Sequence, residues 1–110
     1  MDLRLKKQSD FNEVFRKGKR SYSKNLALIY IKKSELKVGI SVSKKHGNAV
    51  KRNKIKRLIR AAYYPFLEKL PNYHIVFLPK TGIDFSYNDL LDDIKYLLKK
   101  EKLIDEENFN

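Results

Sequence analysis

The chain has 110 residues, and its 25 Lys or Arg outnumber its 13 Asp or Glu to give a formal net charge of +12. It contains no cysteine, which excludes disulfides, thiolate zinc sites and cysteine nucleophiles. Hydrophobic residues make up 42% of the sequence and no apolar run approaches the ~20 residues of a membrane span, so we expect one domain over residues 1–110, cytoplasmic and without membrane contact.

The first predicted element is a short helix. Ser9 or Asp10 can cap its N-terminus and Gly18 suits its C-terminal end, which gives a helix of about nine residues. One face of this helix carries Phe11, Val14 and Phe15. On spacing alone, ordinary core packing is the plainer role for both phenylalanines.

Two segments rich in strand formers follow, residues 26–32 and 36–44, with a shorter strand near residues 20–23. The second segment alternates in polarity. One of its faces carries Leu36, Val38, Ile40 and Val42, and the other carries Lys37, Gly39, Ser41 and Ser43. Because a short turn at residues 33–35 separates the two segments, we expect them to pair as an antiparallel hairpin.

A turn at residues 46–48 leads into the most basic stretch of the chain. Asn48 is a good N-cap and Pro65 disfavours continuation, so we expect a helix that runs to about Tyr64. At about 100° per residue, its apolar arc consists of Ile55, Leu58, Ile59 and Ala62. The adjacent arc consists of Arg52, Asn53, Lys56, Arg57 and Arg60. One face can therefore pack on a sheet while its neighbour carries the charge.

The remaining elements complete an α+β pattern. Residues 72–78 predict a strand that ends at Pro79, and Ser86 can cap a last helix with Asp89 at its third position. The apolar stripe of that helix consists of Leu90, Leu91, Ile94, Leu97 and Leu98. We expect the charged tail over residues 101–110 to fray. The order of elements indicates a sandwich of helices on a mostly antiparallel sheet.

The positive charge is concentrated in the first half of the chain. Residues 1–60 hold 19 Lys or Arg against 4 Asp or Glu, a net of +15, whereas residues 61–110 hold 6 against 9, a net of −3. A surface that serves only solubility usually mixes both signs. Like charges along the basic helix also repel one another. This distribution favours a polyanionic partner, and we expect nucleic acid.

RNA is a better candidate than DNA. No second helix stands a short turn away from the basic helix, so a helix-turn-helix reader of DNA is not indicated. RNA recognition favours sheets and clefts with aromatic platforms for splayed bases. The candidate platforms are Phe11, Phe15, Tyr22 and Tyr30.

The sequence shows no catalytic constellation. His46 lies in the basic turn, and His74 lies among strand residues, where we expect a structural histidine with satisfied hydrogen bonds. Asp92 and Asp93 are neighbours on a helix and diverge by about 100°, so they do not converge on a metal. The residues alone therefore predict a binding protein.

The segment VGISVSKKHGNAVKRNKIKRLIRAAY, residues 38–63, resembles the signature of the bacterial ribonuclease P protein family. That signature is a strand ending in Ser-Val-Ser-Lys-Lys, a Gly-Asn-Ala-Val turn and an Arg-Asn-Arg helix. Residues 11–18 match the family's opening helix, and length, charge and element order agree over about residues 3–100. Two positions depart from the pattern. Lys54 replaces the second Arg and loses its bidentate geometry, and His46 replaces an aliphatic residue.

The resemblance implies an αβββαβα fold in which the basic helix makes a left-handed crossover between parallel strands. It implies that the partners are ribonuclease P RNA, which holds the active site and binds Mg²⁺, and precursor tRNA, whose 5′ leader is removed. The protein would not be catalytic alone and would bind no cofactor itself. The implied RNA-binding residues are Lys44, Lys45, Lys51, Arg52, Asn53, Lys54, Lys56, Arg57 and Arg60. The implied leader-binding residues are Phe11, Phe15, Ser41 and Ser43.

Two other functions stay open on the residues alone. A ribosomal or other structural RNA-binding protein of similar α+β form would share the basic surface. It would not restore cleavage by ribonuclease P RNA at low Mg²⁺. A stand-alone nuclease would cut precursor tRNA without an RNA subunit, but the sequence shows no catalytic groups for it.

Overall fold

The computed structural model describes residues 2–105, and its helices and strands follow the predicted order αβββαβα. The α-helices are α1 (Gln8–Lys17), α2 (Ala49–Tyr63) and α3 (Tyr87–Lys100). The strands are β1 (Lys19–Tyr22), β2 (Leu26–Lys32), β3 (Lys37–Ile40) and β4 (Tyr73–Pro79). Two short 3₁₀ helices cover Lys44–His46 and Tyr64–Lys69.

The four strands form one mixed sheet in the order β1-β2-β4-β3. The β1–β2 and β2–β4 pairs are antiparallel, and β3 pairs with β4 in parallel. The predicted hairpin between the second and third strands is therefore wrong, because β4 lies between them. Residues 74–77 of β4 are all buried, so this strand needs a neighbour on each side. The turn signal at residues 33–35 is local, so it could not show that the distant strand β4 pairs with both β2 and β3.

The helices cover both faces of the sheet. Helices α2 and α3 pack on one face, in a cluster that includes Leu28, Ile75 and Phe77. The predicted apolar face of the third strand is confirmed, since Leu36, Val38, Ile40 and Val42 all join this cluster. Helix α1 packs on the opposite face through Val14, against Ile29 and Val76.

Helix α1 crosses the sheet from β3 towards β2. At its first turns, a Cβ atom on Gly39 would lie 2.7 Å from the Phe11 ring. At its end, a Cβ atom on Gly18 would lie 2.6 Å from the Ile29 side chain. The helix begins at Gln8 after an N-cap residue, Lys7, that makes no side-chain cap. The predicted caps, Ser9 and Asp10, therefore lie inside the first turn.

The chain segment before α1 covers the outer edge of β3. Val38 donates its N–H to the carbonyl of Leu3 at 2.7 Å and accepts from the N–H of Leu5 at 2.9 Å. These bonds extend the sheet by a short parallel contact. A covered edge offers fewer unpaired backbone groups to other chains.

Residues 101–104, which follow α3, are held in place, whereas fraying is expected from residue 101 onwards. The Glu101 carboxylate accepts a 2.6 Å hydrogen bond from the Tyr30 hydroxyl and lies 3.4 Å from the Lys19 amine. Leu103 and Ile104 are buried, while residues 106–110 lie outside the described part. Charge-rich composition suggested a solvated tail, but it could not show these distant partners. The hydrogen bond from Tyr30 holds the pKa of Glu101 below its ordinary value.

We predict that Glu101→Gln lowers the free energy of unfolding by about 1–2 kcal/mol at neutral pH, because it removes a charge-assisted hydrogen bond. The pKa of Glu101 is lowered in the folded state from an ordinary 4.5. The difference between variant and parent should thus persist above pH 4.5 and disappear as the pH falls below it. Urea unfolding at neutral pH and at a pH below 4.5 measures this difference in stability. The exposed Glu68→Gln is the control, and equal stability of parent and Glu101→Gln at neutral pH would contradict the assignment.

Candidate nucleic-acid interface

Helix α2 packs one face into the core and leaves the adjacent face open. Asn48 caps the helix as predicted, since its side chain accepts a 2.9 Å hydrogen bond from the N–H of Lys51. The buried face consists of Ile55, Ile59, Ala62 and Tyr63. Leu58, the remaining residue of the predicted apolar arc, is partly buried against the same cluster. The predicted division of this helix into two faces is confirmed.

The cations of α2 differ in how far they are buried. Arg52, Lys56 and Arg60 are partly buried and form a row of about 12 Å along the helix. The exposed polar residues are Lys51, Asn53, Lys54 and Arg57. Within residues 2–105, none of these side chains pairs with a carboxylate.

Two arginines in the row have an Nε–H group without a hydrogen-bond acceptor. The Nε atoms of Arg52 and Arg60 are buried, and neither finds an acceptor among the described residues. A buried donor without a partner costs about 1–3 kcal/mol, and more when it is charged. Both side chains therefore keep hydrogen-bond donors that no described residue uses.

The turn before α2 is fastened to the sheet by His46. Its Nδ1 accepts a 3.0 Å hydrogen bond from the N–H of Ser43, and its Nε2–H donates to the carbonyl of Pro79 at 2.7 Å. The imidazole thus replaces aliphatic packing with two hydrogen bonds at the end of β4. Lys44 and Lys45 are exposed beside it, near the positive end of the α2 dipole.

A cleft lies between α1 and the β3 side of the sheet. The rings of Phe11 and Phe15 are both partly buried, with centroids 6.3 Å apart. Phe11 lines a cavity of about 290 Å³ together with Gly39, Lys56 and Arg60. Two cations of the α2 row therefore also border the aromatic cleft.

The sheet beside α1 forms an incompletely covered floor for this cleft. Ala27 of β2 pairs with Leu78 of β4, and both are partly exposed. Leu78 packs against the α1 cluster, which places this pair on the α1 face. Ser41 continues the third strand by one hydrogen bond, from its N–H to the carbonyl of Phe77 at 2.9 Å. Strand alternation therefore carries Ser41 to the face of Gly39.

Two sequence-based assignments do not fit this geometry. Strand β3 ends at Ile40, so Ser43 is not a strand residue, and its hydroxyl accepts a hydrogen bond from the N–H of Lys45 instead. Tyr30 is not a platform on the cleft, because its ring packs 5.6 Å from that of Tyr73 in the opposite layer. Tyr30 is partly buried in that layer and donates its hydroxyl to Glu101, so it is a structural residue.

The cleft also contains cations that the sequence reasoning did not select. Arg4 and Lys6 line the same cavity as Phe11 and pair with Asp2 at 3.3 and 2.6 Å. The basic run at residues 4–7 was the available signal, but its pairing with the edge of β3 could not be inferred from local patterns.

The described residues contain no cluster of three or more His, Asp or Glu that could hold a metal ion. Asp93 accepts a 2.8 Å hydrogen bond from the N–H of Asn25, which turns it to a structural role. His74 is buried, and burial lowers its pKa, but its Nδ1 has no partner among residues 2–105. The expectation that the hydrogen bonds of His74 are satisfied is therefore wrong.

Across residues 2–105, no helix combines the length and apolarity needed to span a membrane.

Comparison with known proteins gives consistent matches. The family model described as Ribonuclease P matches residues 1–102. The "Ribonuclease P protein component" of Bacillus velezensis is 40% identical over 104 residues, covering 91% of this chain and 90% of the relative. That of Clostridioides difficile is 43% identical over 102 residues, covering 87% of this chain and 89% of the relative.

Solved structures agree with these sequence matches. The Staphylococcus aureus RNase P protein superposes with a TM-score of 0.84 at 28% identity, covering 96% of this chain and all of that one. The Thermotoga maritima RNase P protein superposes with a TM-score of 0.78 at 26% identity, covering 88% of this chain and 96% of that one. The sequence matches and the fold thus agree with the basic helix and the aromatic cleft. The chain belongs to the ribonuclease P protein family.

Proposed function

We propose that two surfaces of this ribonuclease P protein subunit bind two different RNAs. The basic face of α2, with the preceding turn, would bind the catalytic RNA. The cleft between α1 and the sheet would bind the single-stranded 5′ leader of precursor tRNA. The observation that carries the proposal is the row formed by Arg52, Lys56 and Arg60, which has no carboxylate partner among the described residues. Its members Lys56 and Arg60 also line the cavity beside Phe11.

The α2 surface suits a folded RNA backbone. A phosphate run could follow the row of about 12 Å and meet the exposed side chains of Lys54 and Arg57 beside it. The partly buried guanidinium groups of Arg52 and Arg60 can donate charge-assisted hydrogen bonds to phosphate oxygens. Lys44 and Lys45 extend the charge to the helix N-terminus, where backbone N–H groups also favour anions.

The cleft suits an unpaired strand rather than a duplex. Two partly exposed rings, Phe11 and Phe15, can stack with unstacked bases, since every base offers a π-face. Lys56 and Arg60 at the cavity wall can hold the adjoining phosphates. The partly exposed floor at Ala27 and Leu78 leaves room for an RNA strand to lie against the sheet.

Hydrolysis of the phosphodiester bond is assigned to the RNA subunit, with Mg²⁺ bound through that RNA. The protein residues would hold the leader and the catalytic RNA in a fixed relation, because Lys56 and Arg60 lie where both surfaces meet. We place this activity in the cytoplasm. Precursor tRNA and ribonuclease P RNA are the partners, and no DNA is involved.

Reconstitution tests this function directly. The chain should restore cleavage of precursor tRNA by ribonuclease P RNA at low Mg²⁺. A structural RNA-binding protein of another system would bind RNA without restoring cleavage. Cutting of precursor tRNA by the protein alone would indicate a stand-alone nuclease and would reject the proposal.

We predict that Arg52→Ala and Arg60→Ala each weaken binding to the catalytic RNA by about 1.5–3 kcal/mol, because each loses charge-assisted contacts. Each should also reduce the slope of log affinity against log salt by about one. Fluorescence anisotropy at several salt concentrations measures both effects.

The stability of these variants separates binding from folding. Both side chains lie off the apolar arc, and their removal lessens repulsion along α2, so the unfolding midpoint should hardly change. The matched control is Lys100→Ala, an exposed cation at the end of α3. A large loss of stability with unchanged RNA affinity would make both arginines structural.

We predict that Phe11→Leu weakens binding of precursor tRNA to the holoenzyme, because it keeps apolar bulk but loses a ring worth about 1–3 kcal/mol per stacked base. Mature tRNA lacks the leader, so its affinity should not change. Binding is measured for both tRNAs with the reconstituted holoenzyme. Equal losses of affinity for precursor and mature tRNA would show that Phe11 serves only in packing.

A further inference from the structure

We infer that the leader cleft continues past Phe15 onto β1, where Tyr22 and Arg20 form an end subsite for one further unpaired leader nucleotide. The base would stack on the Tyr22 ring, and the adjoining phosphate would lie near the Arg20 guanidinium. This inference rests on the proposed leader-binding function and extends it to residues outside the family signature.

The strand register places Tyr22 in line with the cleft floor. Tyr22 pairs with Ala27, and Ala27 pairs with Leu78, so the three side chains form a row across β1, β2 and β4 on the α1 face. Ser41 follows at the β3 end of that row. Tyr22 is 57% exposed, although it stands at the end of a partly covered apolar floor.

Arg20 connects this row to α1. It pairs with Ile29, a residue of the α1 cluster, so its side chain rises from the same face as Tyr22. Its Nη2–H donates to the carbonyl of Phe15 at 3.1 Å, which fixes the guanidinium at the C-terminal end of α1. Because α1 crosses the sheet from Phe11 near β3 to its end near β2, a leader that follows α1 away from Lys56 and Arg60 would reach Arg20.

The charge around this end suits a phosphate backbone. Between Glu13 and Glu35 the sequence holds seven Lys or Arg and no Asp or Glu. Lys19 and Lys33 pair with Glu101 and Glu13, in contacts of 3.4 and 2.6 Å. The exposed cations near the C-terminal end of α1 and β1 are Arg16, Lys17, Arg20 and Lys24. An RNA strand that passes the Phe15 ring therefore meets positive charge, which attracts its phosphates.

Protection of the sheet edge explains only part of this pattern. Edge strands often carry Lys or Arg, which discourage the addition of strands from other chains. That role accounts for the cations of β1, but it does not require an exposed aromatic ring in register with the cleft floor. Cations alternating with an aromatic ring are the arrangement that binds single-stranded RNA without sequence preference.

The test uses the reconstituted holoenzyme and precursor tRNAs whose leaders are lengthened one nucleotide at a time. Tyr22→Leu should leave the affinity for short leaders unchanged and weaken binding about fivefold to tenfold once the leader reaches β1. Tyr22→Phe keeps the ring and should bind like the parent. Tyr96→Leu, on α3 in the opposite layer and 54% exposed, is the matched control and should have no effect.

An abasic nucleotide in the leader identifies the stacked base. At the position that reaches Tyr22, it should weaken binding to the parent as much as Tyr22→Leu does, and combining both changes should cause no further loss. If Phe11→Leu weakens leader binding but Tyr22→Leu does not, the end subsite is rejected and the proposed function stands. If neither variant changes the dependence on leader length, both are rejected.

Discussion

Strand β4 has to be buried on both faces, and the rest of the fold is arranged around that requirement. Ile75 and Phe77 point into the layer of α2 and α3, whereas Val76 points towards α1. The strand also needs a hydrogen-bonded neighbour on each side, which β2 and β3 provide. Because β3 runs parallel to β4, the chain must cross over between them, and α2 makes that crossing. An apolar strand thus determines where the basic helix lies.

Apolar packing also offsets the repulsion along α2. Each fully buried aliphatic side chain stabilises the fold by about 1.5–3 kcal/mol, and Ile55 and Ile59 are both buried. Neighbouring like charges on a helix cost only a few tenths of a kcal/mol per pair. The core therefore holds the cations in a fixed row without any internal carboxylate among the described residues. A ligand that supplies negative charge meets a surface that is already ordered.

Features set by neighbouring residues could be predicted from the sequence, whereas features set by distant ones could not. Asn48 and Ser86 both accept the expected capping hydrogen bonds, and the two faces of α2 follow from its helical period. Alternation extends the predicted strand to Ser43 because it does not show where a strand ends, and β3 ends at Ile40. Tyr30 was misassigned because its partner Glu101 lies far along the chain, in a segment whose composition resembles a solvated tail. Local residue patterns and the family resemblance both predict the element order, but neither predicts these contacts.

The insertion of β4 between β2 and β3 has a consequence for how the chain folds. Leu28 pairs with Phe77, and Val38 pairs with Ile75, so the centre of the sheet has no local hairpin to nucleate it. The long loops between these paired residues must close before either pairing forms. Folding slows as the sequence separation between contacting residues grows. During synthesis, β2 and β3 leave the ribosome well before β4, and their apolar faces stay without their central partner. The chain therefore completes its sheet only after residue 79 has emerged, when most of its positive charge is already outside.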